Sequence, residues 1–443
     1  MLDLTNFELG LVSFPLLLIM IFLRVPIGLS MFLTGLFGYM MITGGTNVPL
    51  SKLKNETYST FSSYSLSIVP LFLLMGHFAT RGGMSQALFK AAESFLGHRR
   101  GGVAMAAVGA CAGFGSICGS SLATAATMSQ VALPELRRYG YSGGFSTATL
   151  AAGGTLGILI PPSVILVIYA ILTEQNIAKL FLAAFIPGIL AALGYMLTIS
   201  VYVRMHPDAA GVRPAVPWHE RLRNLRDVWP VLVVFVLVVG GIYRGWFTPT
   251  EGAAIGAAGT GLIALFNGGL NWATLMESFI ATARSSAMIF FIVLGAGFYN
   301  GFLALSRVPQ ELSDWVGTLG YSPWIILTMI LVLYLVFGCL MDSLSMILLT
   351  IPIFFPIIQM LDFGLNPEET AIWFGIIVLI VVEVGLITPP VGMNLFVINS
   401  MDRLTPMVET YKAVMYFVAS DILRVIVLVA FPGITLFLLR VLH

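Results

Sequence analysis

Residues 103–133 read VAMAAVGACAGFGSICGSSLATAATMSQVAL, an apolar stretch with a cluster of Gly and Ser at its centre. As one helix it would be about 46 Å long, whereas the hydrocarbon core of a bilayer is about 30 Å thick. Arginines flank it at both ends, at 99–100 and 137–138, although a single crossing normally has its basic residues on one side. The stretch therefore predicts a re-entrant hairpin that enters and leaves from the cytoplasm, with its tip at 115–121.

The composition of the whole chain is that of an all-α polytopic membrane protein, with 58% hydrophobic and 10% charged residues. A net charge of +1 does not provide the basic face that nucleic-acid binding requires. The three cysteines have no CxxC spacing and are expected to be free thiols. The sequence contains neither an HExxH motif nor a phosphate-binding glycine loop, so we predict that the chain is not an enzyme and does not use ATP directly.

Ten other apolar runs are long enough to cross the bilayer. A second run that is too long for one crossing, 323–358, is another hairpin candidate. Two shorter amphipathic segments, 82–98 and 306–320, are predicted to lie along the membrane surface. The basic linker 205–227 is predicted to be cytoplasmic. The spanning runs are 8–23, 26–42, 64–80, 143–170, 176–204, 228–247, 252–266, 286–305, 371–398 and 421–441.

The linker separates two halves, 1–204 and 228–443, that resemble each other. Phe114-Gly115 opens the tip of the first hairpin, and Phe337-Gly338 stands at the equivalent place 223 residues later. Likewise, GILIPPS at 157–163 matches GLITPPV at 385–391, a separation of 228 residues. Each half therefore has a hairpin followed by a long apolar segment that Gly and a Pro-Pro pair interrupt, which predicts an internal repeat.

The charges predict that the two repeats are inverted in the membrane. Arginines bracket the first hairpin, whereas Asp362, Glu368 and Glu369 follow the second one. Five crossings and one hairpin per half then place both termini outside the cytoplasm. Lys179 and Arg244 would be external in this topology, which counts mildly against it.

The interrupted segments 143–170 and 371–398 are each predicted to be a broken transmembrane helix. Two successive prolines break a helix, and a second half-helix is expected to begin near Pro162. Each break leaves carbonyls at one helix end and N–H groups at the next helix start. Together with the hairpin tips, these ends offer oxygen ligands for sodium and positive helix starts for an anionic substrate.

Small and polar residues near the tips and breaks form the candidate site. For Asp342, a role in binding an ion or substrate competes with that of a helix N-cap. For Glu383, a functional role and a purely structural role are equally favoured. For the Ser and Thr residues the alternative is helix–helix packing. The sodium candidates are Gly115, Ser116, Gly119, Thr155, Gly157, Gly338, Asp342, Gly385 and Thr388. The substrate candidates are Ser120, Ser121, Thr124, Pro161, Pro162, Ser343, Ser345, Pro389, Pro390 and Asn394.

Three segments carry a family resemblance: GSICGSSLATAATMSQVALPELRRYGY, AAGGTLGILIPPSVILVIY and EVGLITPPVGMNLFVI. Together with LRVPIGLSM at 23–31, they resemble the large membrane subunit (the M, or DctM-type, subunit) of tripartite ATP-independent periplasmic (TRAP) transporters. The resemblance covers essentially the whole chain. It implies an elevator-type secondary transporter in a bacterial or archaeal inner membrane, driven by a sodium gradient and without an organic cofactor.

The resemblance also implies the partners and the class of substrate. A small four-helix membrane subunit and a periplasmic solute-binding protein would work with this chain, and the substrate would be an organic anion, mostly a carboxylate. A stand-alone sodium/carboxylate symporter of similar architecture is the alternative within transport. A membrane scaffold or an intramembrane enzyme is the alternative outside transport, and the paired helix breaks count against it.

Overall fold

The structure, a computed structural model, describes residues 5–318 and 320–442, and these ranges contain helices and loops but no strand. The helices before the linker are α1 (Asn6–Phe22), α2 (Ile27–Thr43), α3 (Asn47–Phe61), α4 (Ile68–Arg81), α5 (Met84–Leu96), α6 (Gly102–Cys118), α7 (Ser121–Arg138), α8 (Gly143–Leu159), α9 (Val164–Thr173) and α10 (Ile177–Met205). The linker and the second half contain α11 (Trp218–Arg226), α12 (Trp229–Tyr243), α13 (Pro249–Phe266), α14 (Trp272–Ser306), α15 (Val308–Thr318), α16 (Pro323–Gly338), α17 (Ser343–Met360), α18 (Pro367–Gly385), α19 (Met393–Met401), α20 (Met407–Ala430) and α21 (Pro432–Leu442).

The helices have the length and surface of a multi-pass membrane protein. In the described part of the chain, α10, α14, α17 and α20 are each long and apolar enough to cross a bilayer alone. Three bent pairs pass the same test together, namely α3–α4 at 55°, α8–α9 at 44° and α11–α12 at 45°. Large apolar side chains on α1, α12 and α16 are exposed. Large exposed apolar surfaces of this kind are typical of membrane contact.

The structure confirms both hairpins. Helices α6 and α7 pack against each other and are joined at Gly119 and Ser120, inside the predicted tip. Gly119 has a φ of +65°, a conformation that glycine adopts without steric cost. Helices α16 and α17 pack in the same way and are joined by residues 339–342.

Both predicted broken helices are also present, with small differences in their bounds. Helix α8 ends at Leu159 and α9 begins at Val164, two residues after the expected start at Pro162. The later start follows from Ser163, whose hydroxyl accepts from Leu166 N and caps α9. In the second half α18 ends at Gly385, and seven residues that include the proline pair separate it from α19.

The order of elements recurs in the two halves. The bent pair α3–α4 runs from residue 47 to 81, and the long helix α14 occupies 272–306, each 225 residues further on (272 − 47 = 225). A short helix, a hairpin and a broken helix follow in both cases. The amphipathic segments predicted at 82–98 and 306–320 correspond to α5 and α15.

Packing divides the helices into two groups, each with members from both halves. Helices α1–α4 pack with α12–α14, chiefly through the pairs α2–α14 and α4–α13, whereas α15 packs mainly against α17. The hairpins and broken helices pack with α5, α10, α20 and α21, chiefly through α6, α7 and α20 against α8. We call these the outer group and the hairpin group. The hairpin group contains all of the predicted tips and breaks.

Some predicted bounds were wrong, and the causes are local. The run 286–305 is the later part of a longer helix, α14, which Asn271 caps at its N-terminus. The first turns of α14 contain polar residues, so the hydropathy pattern does not reveal them. The predicted span 421–441 is two helices, since Pro432 removes a backbone donor after Ala430. The polar helix α3 was not predicted, and the linker contains α11.

Candidate functional site

A cavity of about 330 Å³ lies where the two hairpin tips approach each other. Its walls come mostly from the hairpin group, and helices α4 and α14 of the outer group close one side. Among the described residues, no lysine, arginine or histidine lines this cavity. The lining residues are Leu73, Gly119, Ser120, Ser121, Leu122, Ala123, Ile158, Val164, Ile165, Ser285, Met288, Ile289, Asp342, Ser343, Leu344 and Leu386.

Three helices begin at the wall of this cavity. The first residues of α7, α9 and α17 all line it. Their N-caps are Ser120, Ser163 and Asp342, whose side chains accept from the N–H groups of Ala123 (3.4 Å), Leu166 (3.4 Å) and Ser345 (3.1 Å). The first N–H groups of a helix have no partner within the helix, and the helix dipole makes this end positive. The cavity is therefore suited to an anion.

Asp342 has both of the roles that the sequence left open. One carboxylate oxygen accepts from Ser345 N, and the other accepts from the Ser345 hydroxyl at 2.6 Å. The same side chain is half-buried and lines the cavity. The carboxylate thus caps α17 and also places a negative charge next to the positive helix starts.

Glu383 joins the two hairpins through a buried carboxylate on α18. Its Oε1 accepts from the Ser343 hydroxyl of the second hairpin at 2.6 Å, and Ser121 of the first hairpin lies beside it. The side chain is 1% exposed, and Oε2 has no hydrogen-bond partner among the described residues. From the sequence, a functional and a structural role were equally favoured for Glu383, and the structure places it between the two tips.

Glycine pairs hold each hairpin against its broken helix. A Cβ built on Gly115 would lie 2.5 Å from Gly157 Cα, and one built on Gly385 would lie 2.6 Å from Gly338 Cα. Real Cβ atoms do not approach a backbone so closely. The two pairs join equivalent positions of the two halves, as the 223- and 228-residue separations predict.

Each tip also faces the break of its own half. The Pro162 carbonyl oxygen lies opposite Gly119 in the first tip. In the second half Gly392 N donates to the Cys339 carbonyl at 3.4 Å, and Cys339 Sγ approaches the Pro389 carbonyl. The remaining prolines lie in the same breaks, where Pro161 adjoins Pro162 and the Pro390 carbonyl accepts from Tyr411 at 2.7 Å.

Two buried side chains near the breaks have oxygens that could ligate a cation. Thr124 Oγ1 and Asn394 Oδ1 belong to fully buried residues and have no hydrogen-bond partner among the residues described. Thr124 faces Gly157 of α8, while the Asn394 amide donates to the Ala151 carbonyl of α8 at 3.4 Å. Hard cations take such oxygen ligands.

The structure brings only some of the predicted residues to the cavity. Those that line it are Gly119, Ser120, Ser121, Asp342 and Ser343. Two of the predicted residues outside the cavity have local partners: the Ser116 hydroxyl donates to Gly113 O, and the Thr388 hydroxyl donates to Val384 O. Thr155 contacts Tyr195 on α10, on the face of α8 that points away from the first hairpin.

The sequence did not reveal the wall that the outer group supplies. Leu73 on α4 and Ser285, Met288 and Ile289 on α14 close the cavity. Ser285 belongs to a Ser-Ser pair in an apolar helix, and this was the one available signal. The other three are ordinary lipid-compatible residues, so their position depends on tertiary packing alone.

Two hairpin tips, two broken helices and a shared cavity define a class of membrane transport protein. The chain belongs to the family described as "Tripartite ATP-independent periplasmic transporter, DctM component", which it matches over residues 14–434. The crystal structure of the Alcanivorax borkumensis YdaH transporter has the same fold, with a TM-score of 0.64 and 15% identity, over 87% of this chain and 89% of that one.

Relatives with different named substrates match most of the chain. A C4-dicarboxylate TRAP transporter large permease protein of Pseudomonas aeruginosa is 35% identical, over 91% of this chain and 92% of the relative. A sialic acid TRAP transporter large permease protein of Vibrio cholerae is 28% identical, over 95% and 96%. An isethionate TRAP transporter permease protein, DctMQ, of Oleidesulfovibrio alaskensis is 31% identical, over 93% of this chain and 64% of the relative.

Proposed function

We propose that this chain carries an organic anion of the carboxylate class across the inner membrane, coupled to a sodium gradient. The observation that supports this proposal most is the convergence of three helix starts on one cavity. Backbone N–H groups and positive dipole ends together bind carboxylates without a basic side chain. The apolar helices and the family support a function in transport.

The charges around the cavity support coupling to a cation. Asp342 contributes a negative charge to the wall of the cavity. An organic anion would add further negative charge in a site of low dielectric, which is costly without a counter-ion. Sodium bound by the tips and breaks would balance these charges. The Thr124 and Asn394 oxygens, the Asp342 carboxylate and carbonyls near Gly157 and Gly385 are the proposed ligands.

The size of the cavity favours a compact substrate. A volume of about 330 Å³ is at the lower end of the range for small-molecule sites. Among the relatives, the 35% identical one is named for C4-dicarboxylates. A C4-dicarboxylate is therefore the first substrate to test, and a larger sugar acid or a sulfonate comes next.

We propose that the chain acts with two partners, a periplasmic solute-binding protein and a small membrane subunit. The family description calls the chain a component of a tripartite periplasmic transporter. The relative named DctMQ is longer than this chain, which covers 64% of it, as expected if it carries a second membrane subunit in one polypeptide.

The two packing groups support an elevator mechanism. Both tips and both breaks belong to the hairpin group, and the outer group contributes only one wall of the cavity. Movement of the hairpin group relative to α4 and α14 would carry the bound ions and anion from one side to the other. Inverted repeats would supply the two equivalent end states.

Inverted topology leads to a labelling prediction. In right-side-out vesicles, Glu368→Cys is expected to react with a membrane-impermeant thiol reagent, and Arg138→Cys is expected to react only after the membrane is opened. Both native side chains are largely exposed, and the three native cysteines are buried, so background labelling should be low. Reaction of both variants from the same face would contradict the inverted repeat.

A second prediction concerns the partners. In proteoliposomes with an inward sodium gradient, the isolated chain is expected to give no uptake above protein-free vesicles, while the complete three-component mixture gives uptake. The measurement is accumulation of radiolabelled C4-dicarboxylate, with choline replacing sodium as the control. Equal uptake by the isolated chain and by the mixture would instead identify a stand-alone symporter.

A further inference from the structure

A chain of buried polar groups connects α20 to the last turns of α8. Asp421 and Arg424 on α20 form an ion pair at 2.8 Å, and their side chains are 1% and 9% exposed. The Tyr195 hydroxyl of α10 donates to Asp421 at 2.7 Å. The same hydroxyl lies 2.9 Å from Thr155 Oγ1 on α8.

The direction of these hydrogen bonds is fixed by their chemistry. A carboxylate only accepts, so the single Tyr195 hydroxyl proton is directed to Asp421. The Thr155 hydroxyl donates to the Ala152 carbonyl of its own helix at 2.7 Å, and it shares this single proton with the Tyr195 oxygen at 2.9 Å. Asp421 thus orients the Tyr195 hydroxyl, and the Tyr195 oxygen is held against Thr155 as a second acceptor for the shared proton.

An ion pair in the membrane interior requires a reason. Burying two charges is costly, and a buried pair seldom improves stability over apolar residues of similar size. Asp421, Arg424 and Tyr195 do not line the cavity, so they do not bind the substrate. What the network reaches is Thr155, two residues before the close contact of Gly157 with the first hairpin.

We infer that Asp421 is a positioning residue that acts through Tyr195 and Thr155. It holds the last turns of α8 at the depth and rotation at which the first hairpin and the first break bind the coupling cation. Gly154 and Gly157 face α7, while Thr155 faces α10 on the opposite side. An anchor at Thr155 therefore fixes the orientation of the glycine face without occupying the ion site. This inference rests on the proposed sodium coupling.

Tyr195→Phe is the test, because it removes one hydroxyl and keeps both the Asp421–Arg424 pair and the ring packing on Phe417. The complete three-component system is assayed for the sodium concentration at half-maximal uptake. Sodium affinity is also measured by thermal-shift titration of the purified chain. Both are expected to weaken about tenfold, as for other groups that orient ion ligands. The maximal rate at saturating sodium should stay within about twofold of wild type, because Tyr195 does not line the cavity.

Tyr299→Phe is the matched control. Tyr299 is also fully buried and also bonds a hydroxyl, that of Ser13 at 3.1 Å, but it belongs to the outer group. Its loss is expected to lower the melting temperature in a similar way and to leave sodium dependence unchanged. Thr155→Val is expected to match Tyr195→Phe, and Thr155→Ser, which keeps the hydroxyl, is expected to restore wild-type sodium dependence.

The role of the Asp421–Arg424 ion pair is tested with two variants. Asp421→Asn removes the carboxylate but leaves Arg424 unpaired, so the second variant combines Asp421→Asn with Arg424→Gln. Adding Tyr195→Phe to either should weaken sodium dependence no further. Wild-type sodium dependence in Tyr195→Phe, or an equal shift in Tyr299→Phe, would overturn the inference. Uptake by wild type that ignores sodium would instead reject the proposed coupling.

Discussion

Asp342→Asn is expected to leave a folded protein whose uptake requires at least about ten times more sodium than wild type. Asparagine caps a helix about as well as aspartate, so the hydrogen bond from Ser345 N should survive. The charge that would balance sodium is lost, and an attraction of about 4 kcal/mol between unit charges at about 4 Å exceeds the ~1.4 kcal/mol of a tenfold change in affinity. Sodium dependence of uptake, measured at equal expression, gives the result.

Asp342→Ala separates the two roles of this residue. It removes both the cap and the charge, so it should lower thermal stability as well as sodium-driven uptake, with a cost of about 1 kcal/mol for the cap. A normal sodium requirement in Asp342→Asn would leave Asp342 as a helix cap alone. The proposed ligands would then be the backbone carbonyls at 385–388.

Gly385→Ala is expected to abolish uptake and to destabilise the protein by about 1–3 kcal/mol. The new Cβ would lie 2.6 Å from the Gly338 backbone, and a backbone contact cannot be relieved by a change of rotamer. The second hairpin would have to separate from α18, which would displace Ser343 from Glu383. Thermal unfolding and uptake are the two measurements.

Gly433→Ala provides the comparison for this substitution. Gly433 lies in helix α21, and a Cβ there would meet nothing within 4 Å. Alanine is the better helix former, by about 1 kcal/mol, so this variant should be as stable as wild type or slightly more so. Normal uptake by Gly385→Ala would show that the hairpin and the broken helix do not need this close contact.

The hairpins and breaks could be predicted because they depend on local chemistry. Gly119 and the two proline pairs disrupt helices wherever they stand, and flanking arginines report on membrane topology. The repeat was visible for the same reason, since equivalent Gly–Gly contacts require glycine at equivalent positions in both halves.

Features that depend on tertiary partners were not predictable. Thr155 was expected at the ion site, but it contacts Tyr195 on the other face of α8, and helix periodicity alone does not say which neighbour occupies which face. The α14 wall and the network around Asp421 involve residues far apart in the sequence. The long helix α14 itself was underestimated because its polar first turns resemble a loop in hydropathy.

The cavity wall has an evolutionary consequence. Under the proposed function, its anion-binding groups are backbone N–H donors at three helix starts, and any residue except proline supplies such a donor. A change of cargo from one carboxylate to another therefore requires no change of a binding side chain in this chain. Under the proposed division of labour, selection for a new nutrient acts on the protein that delivers it. The same membrane component can then serve transporters for different substrates, while its glycines, prolines and N-cap residues stay unchanged.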